Sequence, residues 1–169
     1  MNKKILALVG LAVTSVSSSA HALPFIGVGV VGGPNFNISS QPAASASDVS
    51  GGVGYSAGLA AELGPIAAMA LYTHTSSTNA LTDRTTTANS LQIPVHFTLG
   101  VLGAHVGFGG YYATSLEDAG GSDYGVSAGA KVSIPVVGIN VRGLVNYGLK
   151  DQDGGKNALA ALMLGWDFL

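Results

Sequence analysis

Between residues 124 and 134 the chain alternates without a break. Tyr124, Val126, Ala128, Ala130, Val132 and Ile134 are apolar or aromatic, whereas Gly125, Ser127, Gly129, Lys131 and Ser133 are small, polar or charged. Successive side chains of a β-strand point to opposite faces, so a period of two sorts these residues into one apolar and one polar face. Similar stretches recur, and eight strands are predicted: Phe25–Ile38, Gly52–Leu63, Ile66–Ser76, Asn89–Leu99, Leu102–Thr114, Asp123–Ile134, Ile139–Lys150 and Ala158–Leu169. Each reaches or exceeds the ~9–11 residues that a tilted strand needs to cross a bilayer. A sheet crosses a membrane only if it closes, because an open edge leaves backbone groups unpaired in hydrocarbon.

The connections alternate in length. Gly64-Pro65, Gly100-Val101 and Pro135–Gly138 are tight, whereas Ser39–Gly51, Ser77–Ala88, Ser115–Ser122 and Asp151–Asn157 are longer and polar. Short periplasmic turns and longer outside loops are the habit of outer-membrane barrels. Turn parity supplies a check, since residues paired across a hairpin point the same way. Pairing Leu99 with Leu102 continues the outward set Leu91, Ile93, Val95, Phe97, Leu99 into Leu102, Ala104, Val106, Phe108. Pairing Ile134 with Ile139 continues the outward set into Val141, Gly143, Val145 and Tyr147. The third strand is ambiguous, because Met69 and Leu71 compete with Ile66 and Tyr72 for the apolar face.

Residues 1–22 read as a cleaved signal peptide, with Lys3 and Lys4 ahead of the apolar run Ile5–Val13 and Ala20-His21-Ala22 as the small-x-small site. That run is too short to span a bilayer as a helix, which needs ~20 apolar residues. Residues 23–169 then form one domain. Of seven Lys and Arg in the chain two fall in the signal, leaving five against nine acids. Nucleic-acid binding, which needs a basic face, is therefore not expected. The mean hydropathy of +0.43 comes with no second long apolar run, as expected when hydrophobicity is spread over alternating positions. There is no cysteine, which excludes disulfides and thiol chemistry.

Aromatic residues stand where membrane interfaces would select them. Tyr55, Tyr72, Tyr112, Tyr124 and Tyr147 lie near the long-loop ends, and Trp166 and Phe168 near the closing end. With the Leu91-Gln92-Ile93-Pro94-Val95 strand and the terminal Trp166-x-Phe168, the mature chain resembles the small eight-stranded outer-membrane β-barrels, including the membrane domain of outer-membrane protein A. The resemblance implies an eight-stranded antiparallel up-and-down transmembrane barrel in a bacterial outer membrane. It also implies contact with outer-membrane lipids and recognition of the C-terminal strand by the barrel insertion machinery. A monomer without cofactor is expected.

Gly27-Val28-Gly29-Val30-Val31-Gly32 matches G-x-G-x-x-G, but Gly33-Pro34 follows where a dinucleotide site needs a helix. His74-Thr75-Ser76 resembles the H-x-S pair of eight-stranded lipid A deacylases, whose acid lies about a dozen residues beyond the serine; here Thr87, Ala88 and Asn89 stand there, with Asp83 the nearest acid. Glu62, Lys131, Arg142 and Asp167 fall on inward positions near the short-turn end, and parity sets Lys131 opposite Arg142. His96 and His105 also face inward and are expected opposite each other, a pair too small to hold a metal alone. Above them Gly54, Ser56, Gly58, Gly107, Gly109, Gly125, Ser127, Gly129, Asn146 and Gly148 are small or amide-bearing, so the lumen is expected to be plugged by charge below and roomier above. Val106→Arg, taken as mid-strand, is expected to impair insertion, and Ser127→Arg to be better tolerated if the lumen has space. The function expected is a non-enzymatic structural or surface-exposed outer-membrane barrel with at most a narrow gated conductance. The alternatives are a lipid A acyl-chain hydrolase using Ser76 and His74, and a soluble secreted barrel holding a small ligand.

Overall fold

The computed structural model describes residues 26–40, 49–79, 84–101, 103–117, 121–134, 137–150 and 156–168. The signal peptide 1–22 and Asp83 lie outside the described residues, as do Leu102, Pro135 and Leu169. Eight strands follow one another: β1 Ile26–Ser40, β2 Val49–Leu63, β3 Ile66–Asn79, β4 Arg84–Val101, β5 Ala104–Ser115, β6 Ser122–Ile134, β7 Ile139–Gly148 and β8 Lys156–Asp167. Each is antiparallel to its neighbour in sequence, and β8 pairs back onto β1 to close the barrel. Closure leaves no free sheet edge.

Alternation fixes the faces. Phe97, Leu99, Phe108, Val126, Val132, Ile134, Leu162 and Leu164 are exposed on the outside. The ambiguity in β3 resolves with Met69 and Leu71 buried inside and Ile66 and Tyr72 exposed outside. Each short turn carries one glycine in the left-handed region: Gly64 (φ 56), Gly103 (φ 86) and Gly138 (φ 68). Only glycine adopts this conformation freely. Inside the wall, Gly109 faces the lumen, and a Cβ there would run into the backbone oxygen of Val95 and the Cα of His96. Close approach of this kind lets the sheet bend sharply.

Two expectations about the chain path are corrected. The β4–β5 hairpin pairs Val101 with Ala104 and Leu99 with Val106, not Leu99 with Leu102. The turn therefore falls at 102–103, where Gly103 takes the positive φ, and not at Gly100-Val101. Faces are unchanged, since the shift is even, but Val106 moves to within two residues of the turn and is not mid-strand. In addition, most of the stretch Ser77–Ala88 is strand and not loop. β3 continues to Asn79, β4 begins at Arg84, and Ser76, Ser77 and Thr78 pair with Thr87, Thr86 and Thr85. The β-branched threonines suit a pleated ladder, and the Thr78 and Thr85 hydroxyls lie 3.1 Å apart across it.

Candidate functional site

The interior is the candidate site, and it is filled in layers. At the short-turn end Lys131 of β6 stands directly across from Arg142 of β7. Like charges in such a pair repel, so the pair needs acids within reach. Asp167 supplies one from β8, the strand next to β7, and Glu62 supplies the other from β2, across the lumen. Lys131 Nζ lies 2.7 Å from Glu62 Oε1 and 2.7 Å from Asp167 Oδ2. Arg142 Nη1 lies 3.0 Å from the same Glu62 oxygen, and Nη2 lies 2.9 Å from Asp167 Oδ1. Each cation thus touches both acids, giving a neutral ring of four charges across the lumen. Arg142 Nε also donates to Asn140 Oδ1 at 2.8 Å.

Above the ring the lining divides. On the β4, β6 and β7 side, His96 Nε2 meets Ser127 Oγ at 2.6 Å, Ser127 Oγ donates to Asn146 Oδ1 at 2.6 Å, and Asn146 Nδ2 donates to Gln92 Oε1 at 2.8 Å. The Ser127 proton is committed to Asn146, so the serine accepts from His96 and the imidazole proton sits on Nε2. Facing that side, Val31, Ala60, Met69, Leu71, Leu159, Ala161 and Met163, joined by Leu144 of β7, form a buried apolar cluster. A third group joins Asn35 Nδ2 to Ser56 Oγ at 2.9 Å, and Ser56 Oγ to Thr73 Oγ1 at 3.1 Å. Filling on this scale is what eight strands allow.

Cavities lie beside these layers. One of about 30 Å³ lies next to the charge ring and is lined by His96, His105, Lys131 and Arg142 among others. Another, about 340 Å³, lies toward the long-loop end and reaches down to Gln92 and Asn146. Beside it the Tyr111 hydroxyl donates to Asp123 Oδ2 at 2.9 Å.

The structure does not set the two histidines opposite each other. His96 pairs with Gly109, and His105 pairs with Gly100 and Lys131. The shifted hairpin register is the reason. Among the described residues no group of three or more His, Cys, Asp or Glu side chains could hold a metal ion. The expectation that Ser127→Arg finds room is also corrected, because Ser127 is buried and hydrogen-bonded on both sides.

The remaining candidates lie on the wall. His74 and Ser76 share the outer face of β3 with Tyr72. Both His74 Nδ1, at 2.8 Å, and the Tyr72 hydroxyl, at 2.6 Å, contact Asn89 Oδ1, and Tyr55 stacks on His74 at 5.2 Å. Among the described residues no hydrogen bond joins Ser76 to His74. Gly27–Gly32 lies wholly within β1, with no helix after it. Tyr55, Tyr72, Tyr112, Tyr124 and Tyr147 are exposed on the outer face some way above the short turns, with Tyr112 directly across from Tyr124. Trp166 and Phe168, also exposed, meet edge to face at 6.1 Å at the other end.

Sequence reasoning missed the apolar cluster and the Tyr111–Asp123 pair. The signal for the first was present: Ala158–Leu164 and Ala67–Leu71 are apolar at both parities, so each strand had to carry apolar residues inward as well. No local signal marks Asp123 as the partner of Tyr111.

No family model matches the sequence, and no curated protein matches it significantly. Solved structures do share the fold. Neisserial surface protein A superposes with a TM-score of 0.58 at 12% identity, covering 83% of this chain and 97% of that one. Ail, the attachment invasion locus protein of Yersinia pestis, superposes with a TM-score of 0.53 at 12% identity, covering 85% and 98%. Both are small outer-membrane barrels, and at this identity the likeness establishes the eight-stranded barrel fold.

Proposed function

We propose that the chain is an integral outer-membrane barrel, exported by a cleaved signal at residues 1–22, with a structural or surface-exposed role and no catalytic activity. The observation that carries this reading is the inversion of the faces. Phe108, Leu164, Leu99 and Val53 are 68%, 66%, 63% and 61% exposed on the outer wall, while a ring of four charges and the amides of Gln92, Asn140 and Asn146 lie inside. A soluble monomer rarely exposes a contiguous apolar surface beyond a few hundred Å². A barrel that holds a ligand in water would reverse this arrangement. Hydrocarbon around the wall removes the penalty, and the tyrosines above with Trp166 and Phe168 below would sit at the two headgroup layers. Outer-membrane lipids are then the principal partner, and the C-terminal strand is the segment the insertion machinery would engage.

The layered filling favours a closed interior over an open channel, because the charge ring crosses the lumen and the apolar cluster fills the level above it. The hydrolase alternative finds less support. His74 is oriented by an amide and not by an acid, and its ring is committed to Asn89 with no link to Ser76 among the described residues. Fractionation of expressing cells tests the reading. The protein is expected in the outer-membrane fraction, migrating differently on gels before and after boiling, and silent in single-channel recordings once folded. Recovery as a soluble periplasmic protein would overturn it.

A further inference from the structure

We propose that the cavity at the long-loop mouth is a binding site for a small uncharged polyhydroxylated molecule of about monosaccharide size. Its volume of about 340 Å³ falls within the range of small-ligand pockets, roughly 300–1,000 Å³. Side-chain amides and hydroxyls dominate its walls, among them Asn37, Thr73, Thr75, Asn146 and Asn157. Amides and hydroxyls each both donate and accept, which suits a ligand whose hydroxyls do the same. The Tyr111 ring and Leu159 supply apolar wall for the C–H face of such a molecule.

The same walls argue against charged ligands. Among the described residues that line the cavity there is no Lys, Arg or His, and the one acid is Asp123. An anion would therefore face a carboxylate with no compensating cation. A cation would find that carboxylate already engaged, since Oδ2 accepts from the Tyr111 hydroxyl at 2.9 Å and Oδ1 from the Tyr124 amide at 2.8 Å. The floor is closed by the Asn146–Gln92 hydrogen bond, so a bound molecule stops there and does not pass through. This is a site on the barrel's outer mouth, independent of whether the interior ever conducts.

Three sugars that differ mainly in charge provide the test: D-glucose, D-glucuronate and D-glucosamine. Each is titrated into the folded, ¹⁵N-labelled protein in detergent micelles while the side-chain amide signals of Asn37, Asn146 and Asn157 are followed. Saturable shifts with glucose are expected, with at least tenfold weaker binding of glucuronate and no tightening with glucosamine. Asn37→Leu should weaken glucose at least tenfold, and Thr75→Val, which keeps shape and removes a hydroxyl, serves if the first variant fails to fold. Shifts that never saturate with glucose, equal affinity in the folded variant, or a preference for either charged sugar would overturn the proposal.

Discussion

Replacing Arg142 with methionine is expected to lower the unfolding free energy by about 3 kcal/mol, read as a fall in the urea midpoint of the folded barrel. The arginine is the most deeply placed member of the charge ring, with its side chain 6% exposed. Removing it leaves Glu62 and Asp167, on the two strands that flank β1, with Lys131 as the one cation still pairing them. It also takes away the donor to Asn140 Oδ1. Breaking a buried pair from one side costs about 3–5 kcal/mol. The lower end applies because the Glu62 and Asp167 side chains are 23% and 17% exposed and water reaches them in part. A second change decides whether the loss is truly electrostatic. Adding Asp167→Asn restores one cation against one acid, so the double variant should recover most of the midpoint. Simple addition of two destabilising effects would mean that the four charges do not act as a unit.

Phe108→Arg is expected to cost about 2–4 kcal/mol when unfolding is followed from lipid vesicles, the penalty for an arginine facing hydrocarbon at mid-depth. Phe108 is 68% exposed and lies on β5 midway between Ala104 at the turn and Tyr112 above. Val106→Arg, one outward position nearer the turn, should cost less, since the penalty falls to about 0–1 kcal/mol at the interface. This gradient with depth identifies lipid in particular, because an ordinary loss of packing has no reason to follow distance from the turn. Equal costs at the two positions would argue against a membrane around the wall.

The two substitutions show what the sequence reveals and where it stops. Facing was legible because a period of two separates Tyr124–Ile134 into two chemically distinct sets. Register was not. Parity distinguishes odd from even, so pairing Leu99 with Leu102 or with Val106 satisfies the hydrophobic pattern equally. Only the turn geometry at Gly103 decides, and Gly100 offered the same chemistry three residues earlier. That ambiguity misplaced Val106 in depth and His105 relative to His96. Strand length was likewise legible only where alternation persists. Thr85, Thr86 and Thr87 belong to β4 but are exposed and polar at both parities, so nothing separates them from loop. The charge ring was foreseeable as a group, because four ionisable residues on inward positions near one end of a narrow barrel have few other partners. Its pattern of contacts, with each cation on both acids, needs the barrel's curvature and cannot be read from the chain.

Trp166 offers the most direct test that the apolar wall faces lipid. It is the chain's one tryptophan, and it is 58% exposed on the outer face. The folded protein is reconstituted into vesicles of phosphatidylcholine brominated along its acyl chains, and the emission is compared with that in unbrominated vesicles. Quenching by the brominated lipid, with aqueous iodide reaching the ring only in part as its place at the headgroup layer requires, is expected if the wall stands in the bilayer. Full access to iodide and indifference to bromine would place Trp166 in water and contradict the membrane assignment.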